Sequence, residues 1–268
     1  TRREGRMRFK DKVAVVTGAA NGLGLDAAQG FAREGARVLL VDRDPLVHDA
    51  AAALRAEGHD AQSRIADVTR AADVASYVAA AVETWGGIHC FFNNAGIEGH
   101  VRPLVEQEEE VFDAVMAVNV KGVFLGLRAV LPVMLRQGAG AVVNTASTAA
   151  LAGSMGLAPY VGSKHAVLGI TRSVAGEVAR QGVRVNAVCP GPTETRMIHS
   201  LEEQAGLRGV NDAAERYKAN IPLGRYSTPA EVTAAVLFLC SDAASAITGA
   251  HLQVDGGRTA CPVASALR

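Results

Sequence analysis

Cysteine is scarce in this chain of 268 residues: Cys90, Cys189, Cys240 and Cys261 stand far apart and no two form a CxxC pair. Such spacing excludes a disulfide framework or a zinc ribbon and fits a reducing compartment, the cytoplasm. A surplus of charge is missing too. Lys+Arg 27 balances Asp+Glu 27 to a formal +0, so no basic field exists to draw in nucleic acid or anionic lipid. No apolar run approaches the roughly eighteen residues of a membrane span. The opening TRREGRMR lacks the apolar stretch of a signal peptide, and residues 1–10 read as a flexible basic leader. Internal repeats, low-complexity tracts and a Pro/Gly/Ser linker are absent as well. The seven histidines are scattered, and no His/Cys/Asp cluster has metal-ligand spacing, so no metal is expected. What remains is 49% hydrophobic and 20% charged with 28 Gly and 9 Pro, the composition of one large globular domain over residues 11–258, followed by a tail at 259–268.

Short β-branched apolar runs alternate with helical stretches. Strands are predicted at 13–17, 37–41, 88–92, 141–145, 183–188 and 251–254, with a weaker one at 63–66. Nearly continuous apolar strands separated by helices imply a parallel sheet covered on both faces, an α/β doubly wound architecture. One segment fits poorly. Residues 192–226 are polar and irregular, and they hold Met197, His199, Leu207 and Tyr217 ahead of a helix opening at Thr228 and Pro229. Long connections of this kind serve as binding loops or lids, so 192–226 is the expected substrate loop.

The first strand runs into TGAANGLG at 17–24 and then a helix over 25–34. Gly18, Gly22 and Gly24 let backbone approach a pyrophosphate, and the helix N-terminus offers it unpaired N–H groups; Asn21 and Leu23 belong to the same turn. Asp42 ends the second strand, where a carboxylate can accept hydrogen bonds from ribose hydroxyls. It would repel a 2′-phosphate, and Ala19, Ala20 and Asn21 supply no cation, which favours NAD over NADP. Arg43 is the one nearby cation and reads as a solvated loop residue. Asp67 and Val68 follow the third strand, and Asn93-Asn94-Ala95-Gly96 follows the fourth, both at strand ends where an open sheet takes ligand.

Tyr160 and Lys164 lie four apart on a helix predicted to continue through Arg180, and so share a face. A phenol is a poor base at neutral pH. A neighbouring ammonium stabilises the phenolate, and lowering its pKa by about three units takes roughly 4 kcal/mol, which a buried lysine and an oxidised nicotinamide together can supply. Ser147, just past the fifth strand, is placed for its hydroxyl to meet the substrate oxygen. His165 follows Lys164 directly and points elsewhere, to packing or an interface. The acidic run at 106–110 reads as a solvated helix start and Trp85 as packing at a helix end.

With these residues in view the chain resembles the classical short-chain dehydrogenase/reductase family from Lys12 to Gly257. The matching motifs are the glycine turn at 17–24, Asp67, Asn93 to Gly96, Asn119, Ser147, Tyr160-x-x-x-Lys164, Pro190-Gly191 and Asp255-Gly256-Gly257. The resemblance implies a single Rossmann-type domain with a seven-stranded sheet and a homotetramer. It implies Tyr160 as acid/base, Ser147 polarising the substrate oxygen, Lys164 also binding the nicotinamide ribose, and Asn119 holding a water in the proton relay. Pro190, Gly191, Thr193 and Thr195 would present the carboxamide; Thr193 stands where the family often has Val or Ile.

The expected reaction is NAD(H)-dependent interconversion of a small cyclic or hydrophobic secondary alcohol and its ketone. Glu98, His100, Met155 and Met197 lie near strand ends and are candidate substrate contacts. Two other readings compete. A 3-oxoacyl carrier-protein reductase shares the motifs but would favour NADPH and a basic docking patch, and Asp42 counts against it. A non-catalytic NADH-sensing module would lack the tyrosine or lysine that this chain keeps.

Overall fold

A computed structural model describes residues 7–261. Seven parallel strands, β1 (Val13–Thr17), β2 (Arg37–Asp42), β3 (Ala61–Ile65), β4 (Cys90–Asn93), β5 (Gly140–Thr145), β6 (Val183–Pro190) and β7 (His251–Val254), form one sheet in the order β3-β2-β1-β4-β5-β6-β7. The chain winds outward from β1 to β3, then returns to the other side of β1 at β4. That reversal opens a crevice at the strand C-termini, between the ends of β1 and β4. The predicted doubly wound α/β domain is the one found.

Side chains alternate between two cores. Val15, Leu39, Phe91, Val142 and Val185 point to one face and Ala14, Val16, Leu40, Phe92 and Val143 to the other. On the first face lie α3 (Ala71–Trp85), a long helix and α6 (Ala158–Val178); on the second lie α1 (Gly22–Arg33), α2 (Val47–Ala56) and α9 (Pro229–Cys240). The long helix comprises α4 (Glu109–Met116), a five-residue π turn (Ala117–Lys121) and α5 (Gly122–Gln137). Together its 29 residues, with mean hydropathy 1.7 in the most apolar window, are long and apolar enough to cross a membrane, which the sequence reading had denied of any segment. Here its apolar side (Val115, Val123, Leu127, Val130, Met134) is buried against the sheet, as in a core helix.

The edge strand β3 is half exposed, hence its weak sequence signal and the shift of its start to Ala61. Trp85 closes α3 by packing and donates to Asp60 Oδ2 at 3.1 Å. A capping box of Thr228 and Glu231 starts α9 where it was predicted.

Two expectations change. Within the leader, Phe9 is buried edge-on against Phe31, ring centroids 5.0 Å apart, and its N–H donates to Glu34 O at 3.0 Å; residues 1–6 lie outside the described residues. An apolar side chain there gains more by covering α1 than by solvation. The packed unit therefore begins before residue 11. Of the tail, 259–261 are described and 262–268 are not. The substrate loop is not irregular either: it holds α7 (Arg196–Leu207) and α8 (Ala213–Ala219). Ile198, Ile221 and Tyr226 make a small separate core, with Leu201 and Tyr217 packed against it. Side chains at 198, 201 and 205 share one helical face, a pattern the many polar neighbours obscure.

Candidate active site

The crevice holds a cavity of about 810 Å³ that runs from Asp42 to Tyr160 and Lys164 and on beneath α7. That is large for a single small ligand. Its first half is built from backbone. Gly18 (φ +66°) ends β1, and a Cβ there would lie 3.0 Å from Ala95 Cα; one on Gly24 would lie 2.0 Å from Gly18 O. Only glycine lets this turn fold so closely on α1 and on the segment after β4. The N-cap of α1, Asn21, makes no capping bond, and no acidic residue stands in the first turn, so the helix presents free N–H groups to the cavity. Asp42 is fixed by the same turn, accepting from Ala20 N at 2.9 Å and Asp44 N at 3.0 Å. At the next strand end burial pushes the Asp67 carboxyl up, but hydrogen bonds from Thr69 and the charges of Arg43 and Arg70 hold it below its usual range. Exposed Arg43 thus faces Asp67.

Asn94 ties three strand ends together: it donates to Thr17 O at 3.0 Å and accepts from Thr145 Oγ1 at 3.1 Å, while Thr17 Oγ1 accepts from Asn94 N and Ala95 N. Gly18, Asn21, Gly22, Leu23, Asp42, Asp67, Val68, Asn94, Ala95, Gly96, Pro190, Gly191, Thr193 and Thr195 all line the cavity. Gly24 lies beneath the turn instead. A cradle shaped by glycines, an open helix N-terminus and a backbone-held carboxylate fit a dinucleotide.

The second half is chemical. Tyr160 and Lys164 project from one face of α6, and Lys164 Nζ stands 5.6 Å from the centre of the Tyr160 ring while donating to Thr145 O at 2.8 Å. Ser147 caps the short turn after β5, accepting from Ala149 N at 3.1 Å, and its hydroxyl lies near enough to the phenol to lower the phenol's pKa. Gly96 leaves this space close: a Cβ would sit 3.4 Å from Lys164 Nζ and 3.2 Å from Asn119 Oδ1, which would have to shift by a few tenths of an ångström.

Burial governs the charges. It pushes the Tyr160 phenol up to about 12, with Ser147 pulling down and Glu98 and Cys189 pushing further up. Burial likewise pushes the Lys164 ammonium down to about 8. Withdrawing both groups from water favours both neutral forms, and the expected acidification of the phenol needs the lysine and an oxidised nicotinamide together. At neutral pH the pair is a phenol beside an ammonium.

Asn119 sits fully buried in the π turn. Its amide donates to Ile97 O at 2.9 Å and Ser163 Oγ at 3.0 Å and accepts from Ile97 N at 2.9 Å. Through these bonds the Asn119 side chain fixes the segment after β4.

Among the candidate substrate contacts only Met197 lines the cavity. Glu98 is buried behind the wall with Arg196 at 3.7 Å, His100 faces Glu108 at 3.3 Å, and Met155 is 99% exposed. None of these three lines the cavity, although Glu98 stays near enough for its charge to push the Tyr160 phenol up. His165 is exposed, bonded to Val161 O at 2.9 Å. The wall is instead made by Ile97, Val118, Leu151, Leu157, Ile198 and Leu201, with Tyr217 and Arg258 beyond. Ile198 and Leu201 were within reach of a periodicity argument. The others carry no local signal. Among the described residues no three His, Cys, Asp or Glu side chains gather as metal ligands.

Comparison with known proteins agrees with this geometry. Residues 18–259 match the family model described as enoyl-(acyl carrier protein) reductase. The chain is similar to levodione reductase of Leifsonia aquatica, 41% identical over 256 residues, 94% of this chain and 96% of that protein. It is similar as well to cyclohexanol dehydrogenase of Acinetobacter sp. (strain SE19), 38% identical with the same coverage. A crystal structure of levodione reductase superposes with a TM-score of 0.92 at 40% identity, covering 95% of this chain and all of that one.

Proposed function

Given that the chain belongs to the short-chain dehydrogenase/reductase family, we propose that it is an NAD(H)-dependent oxidoreductase that interconverts a small, cyclic or hydrophobic secondary alcohol and its ketone. The observation that carries this reading is the Tyr160 and Lys164 pair, 5.6 Å from ring centre to Nζ, in one cavity with Asp42 and the glycine turn. The coenzyme, when bound, accepts or returns the hydride. Gly18, Gly22, Asn21 and the N-terminus of α1 hold its pyrophosphate, Asp42 its adenosine ribose, and Lys164 its other ribose.

Tyr160 moves the proton. Held as a phenol, it is ready to donate to a carbonyl oxygen, and Ser147 fixes that oxygen beside it. The phenolate then left behind is stabilised by Lys164, whose ammonium at about 8 stays charged at pH 7. In the oxidative direction the same hydroxyl must first lose its proton, so the lysine charge and the oxidised coenzyme act together. Apolar Ile97, Val118, Leu151, Leu157 and Ile198 favour a hydrocarbon body, in accord with a relative named for cyclohexanol.

Asp42 supports NAD over NADP by its charge. The same reading puts the enzyme in the cytoplasm, in line with four cysteines that stand far apart in the sequence, and makes it a homotetramer, in line with the apolar strip of Met116, Val120, Phe124 and Ile170 on the outer side of α4 to α6. A panel of cyclic and aryl secondary alcohols, assayed side by side with NAD+ and NADP+ at the absorbance band of the reduced coenzyme, tests this. The expected result is turnover of a cyclic alcohol with kcat/KM at least about tenfold higher for NAD+. No turnover of any alcohol, or a preference for NADP+, contradicts it.

A further inference from the structure

On the flank of the sheet opposite Asp42, the cavity is closed by Tyr217 on α8 and by Gln253, Arg258 and Thr259 at and beyond β7. A tight turn presents Arg258. The Asp255 carboxylate accepts from Gly257 N at 3.0 Å, Thr259 N at 2.8 Å and Thr259 Oγ1 at 2.5 Å, and Asp255 O accepts from Arg258 N at 3.2 Å. Arg258 is partly exposed as a residue and lines the cavity, and among the described residues its guanidinium has no carboxylate within ion-pair distance and no side-chain hydrogen bond. Its charge is close enough to pull the Tyr217 phenol down against burial, and that hydroxyl also has no bonded partner among the described residues.

The neighbouring carboxylates are already engaged. Glu98 holds Arg196, Glu202 accepts from Tyr226 at 2.5 Å and faces His199 at 3.0 Å, and Asp255 is filled by its own turn. An unpaired guanidinium beside a phenol whose donor is open, both on the cavity wall, together form a place where an anion can be held.

We propose that Arg258, with Tyr217, is the anion-binding end of the substrate pocket, so that the substrate is a secondary alcohol or ketone whose apolar body carries a carboxylate at its far end. A planar guanidinium meets a carboxylate through two parallel N–H donors, and a phenol adds a third. The proposal rests on the hydride-transfer reading and adds the substrate's chemical class to it.

The test is a calorimetric titration of cyclohexanecarboxylate, and of the neutral cyclohexanecarboxamide, into the NADH complex of the wild type, R258Q and R258K. The wild type is expected to prefer the carboxylate by about tenfold or more, R258Q to lose that preference, R258K to keep part of it, and the NADH affinity of both variants to stay within about twofold. Equal affinity of the wild type for the two probes, a preference that survives in R258Q, or loss of NADH binding in R258Q would overturn the proposal. In parallel, 3-oxocyclohexanecarboxylate is expected to be reduced with a lower KM than its methyl ester, a gap that closes in R258Q. A failure of the hydride-transfer reading would look different: no NADH consumed with either ketone while the carboxylate preference in binding persists.

Discussion

Exchanging Lys164 for Met sets stability against activity at one atom. Burial lowers this ammonium from its ordinary 10.5 to about 8, so the unfolded chain holds the proton more tightly than the folded chain does. Between about pH 8 and pH 10.5 the unfolded chain binds more protons at this site, and stability gained from it rises with pH. At pH 7 both states are protonated and the buried charge costs about 3 kcal/mol. By pH 9.5 about 2 kcal/mol of that is recovered. Lys164→Met removes the titration, while the Thr145 carbonyl, which accepts from Nζ at 2.8 Å, loses its donor at a cost of about 1–3 kcal/mol at every pH. The Cys189 thiol, which burial pushes up to about 11 against the pull of the Lys164 charge, rises further when that charge is removed, so in both folded proteins it stays protonated at pH 9.5 and contributes little to the difference. Urea unfolding at pH 7 and pH 9.5 should therefore show the wild type gaining about 2 kcal/mol over Lys164→Met between the two pH values. A difference that does not move with pH would refute the claim that burial of this ammonium is what lowers it.

Two further substitutions follow from the turn at the coenzyme end. Asp42→Ser removes the repulsion of a 2′-phosphate and the charged acceptor of Ala20 N and Asp44 N; kcat/KM with NAD+ should fall by about 10–100-fold while that with NADP+ rises, measured in parallel assays. Gly24→Ala drives a methyl group to 2.0 Å from Gly18 O, which only a backbone shift can relieve; NADH affinity should drop together with a loss of at least about 3 kcal/mol in unfolding free energy.

The sheet was legible because its central strands are buried on both faces and rich in apolar residues; β1 reads VAVVT and is wholly buried, whereas the edge strand β3, half exposed, gave the weak signal. The dinucleotide turn and the tyrosine-lysine pair were legible because their function fixes both residue type and spacing. What the sequence hid falls into three kinds. Phe9 looked like leader because one apolar residue among charges has no period to reveal it. Helix α7 looked like loop because its buried side is only Ile198 and Ala205 with half-buried Leu201, set among polar residues.

The substrate wall was hidden because it is assembled from chain ends far apart, Ile97, Leu157, Tyr217 and Arg258, which only the folded sheet brings together. Glu98, His100 and Met155 follow strand ends in sequence, yet none of the three lines the cavity: Glu98 is buried beside Arg196, His100 turns to Glu108, and Met155, in the separate turn between β5 and α6, is exposed.

The most direct test of the central claim, that Tyr160 moves the proton beside a bound coenzyme, is a paired measurement on Tyr160→Phe. NADH affinity is read by fluorescence titration and alcohol-dependent NADH formation by absorbance, in the same preparation. The account predicts affinity within about threefold of the wild type and turnover lowered by on the order of 10²–10⁴-fold. Turnover close to that of the wild type, with binding intact, would contradict it.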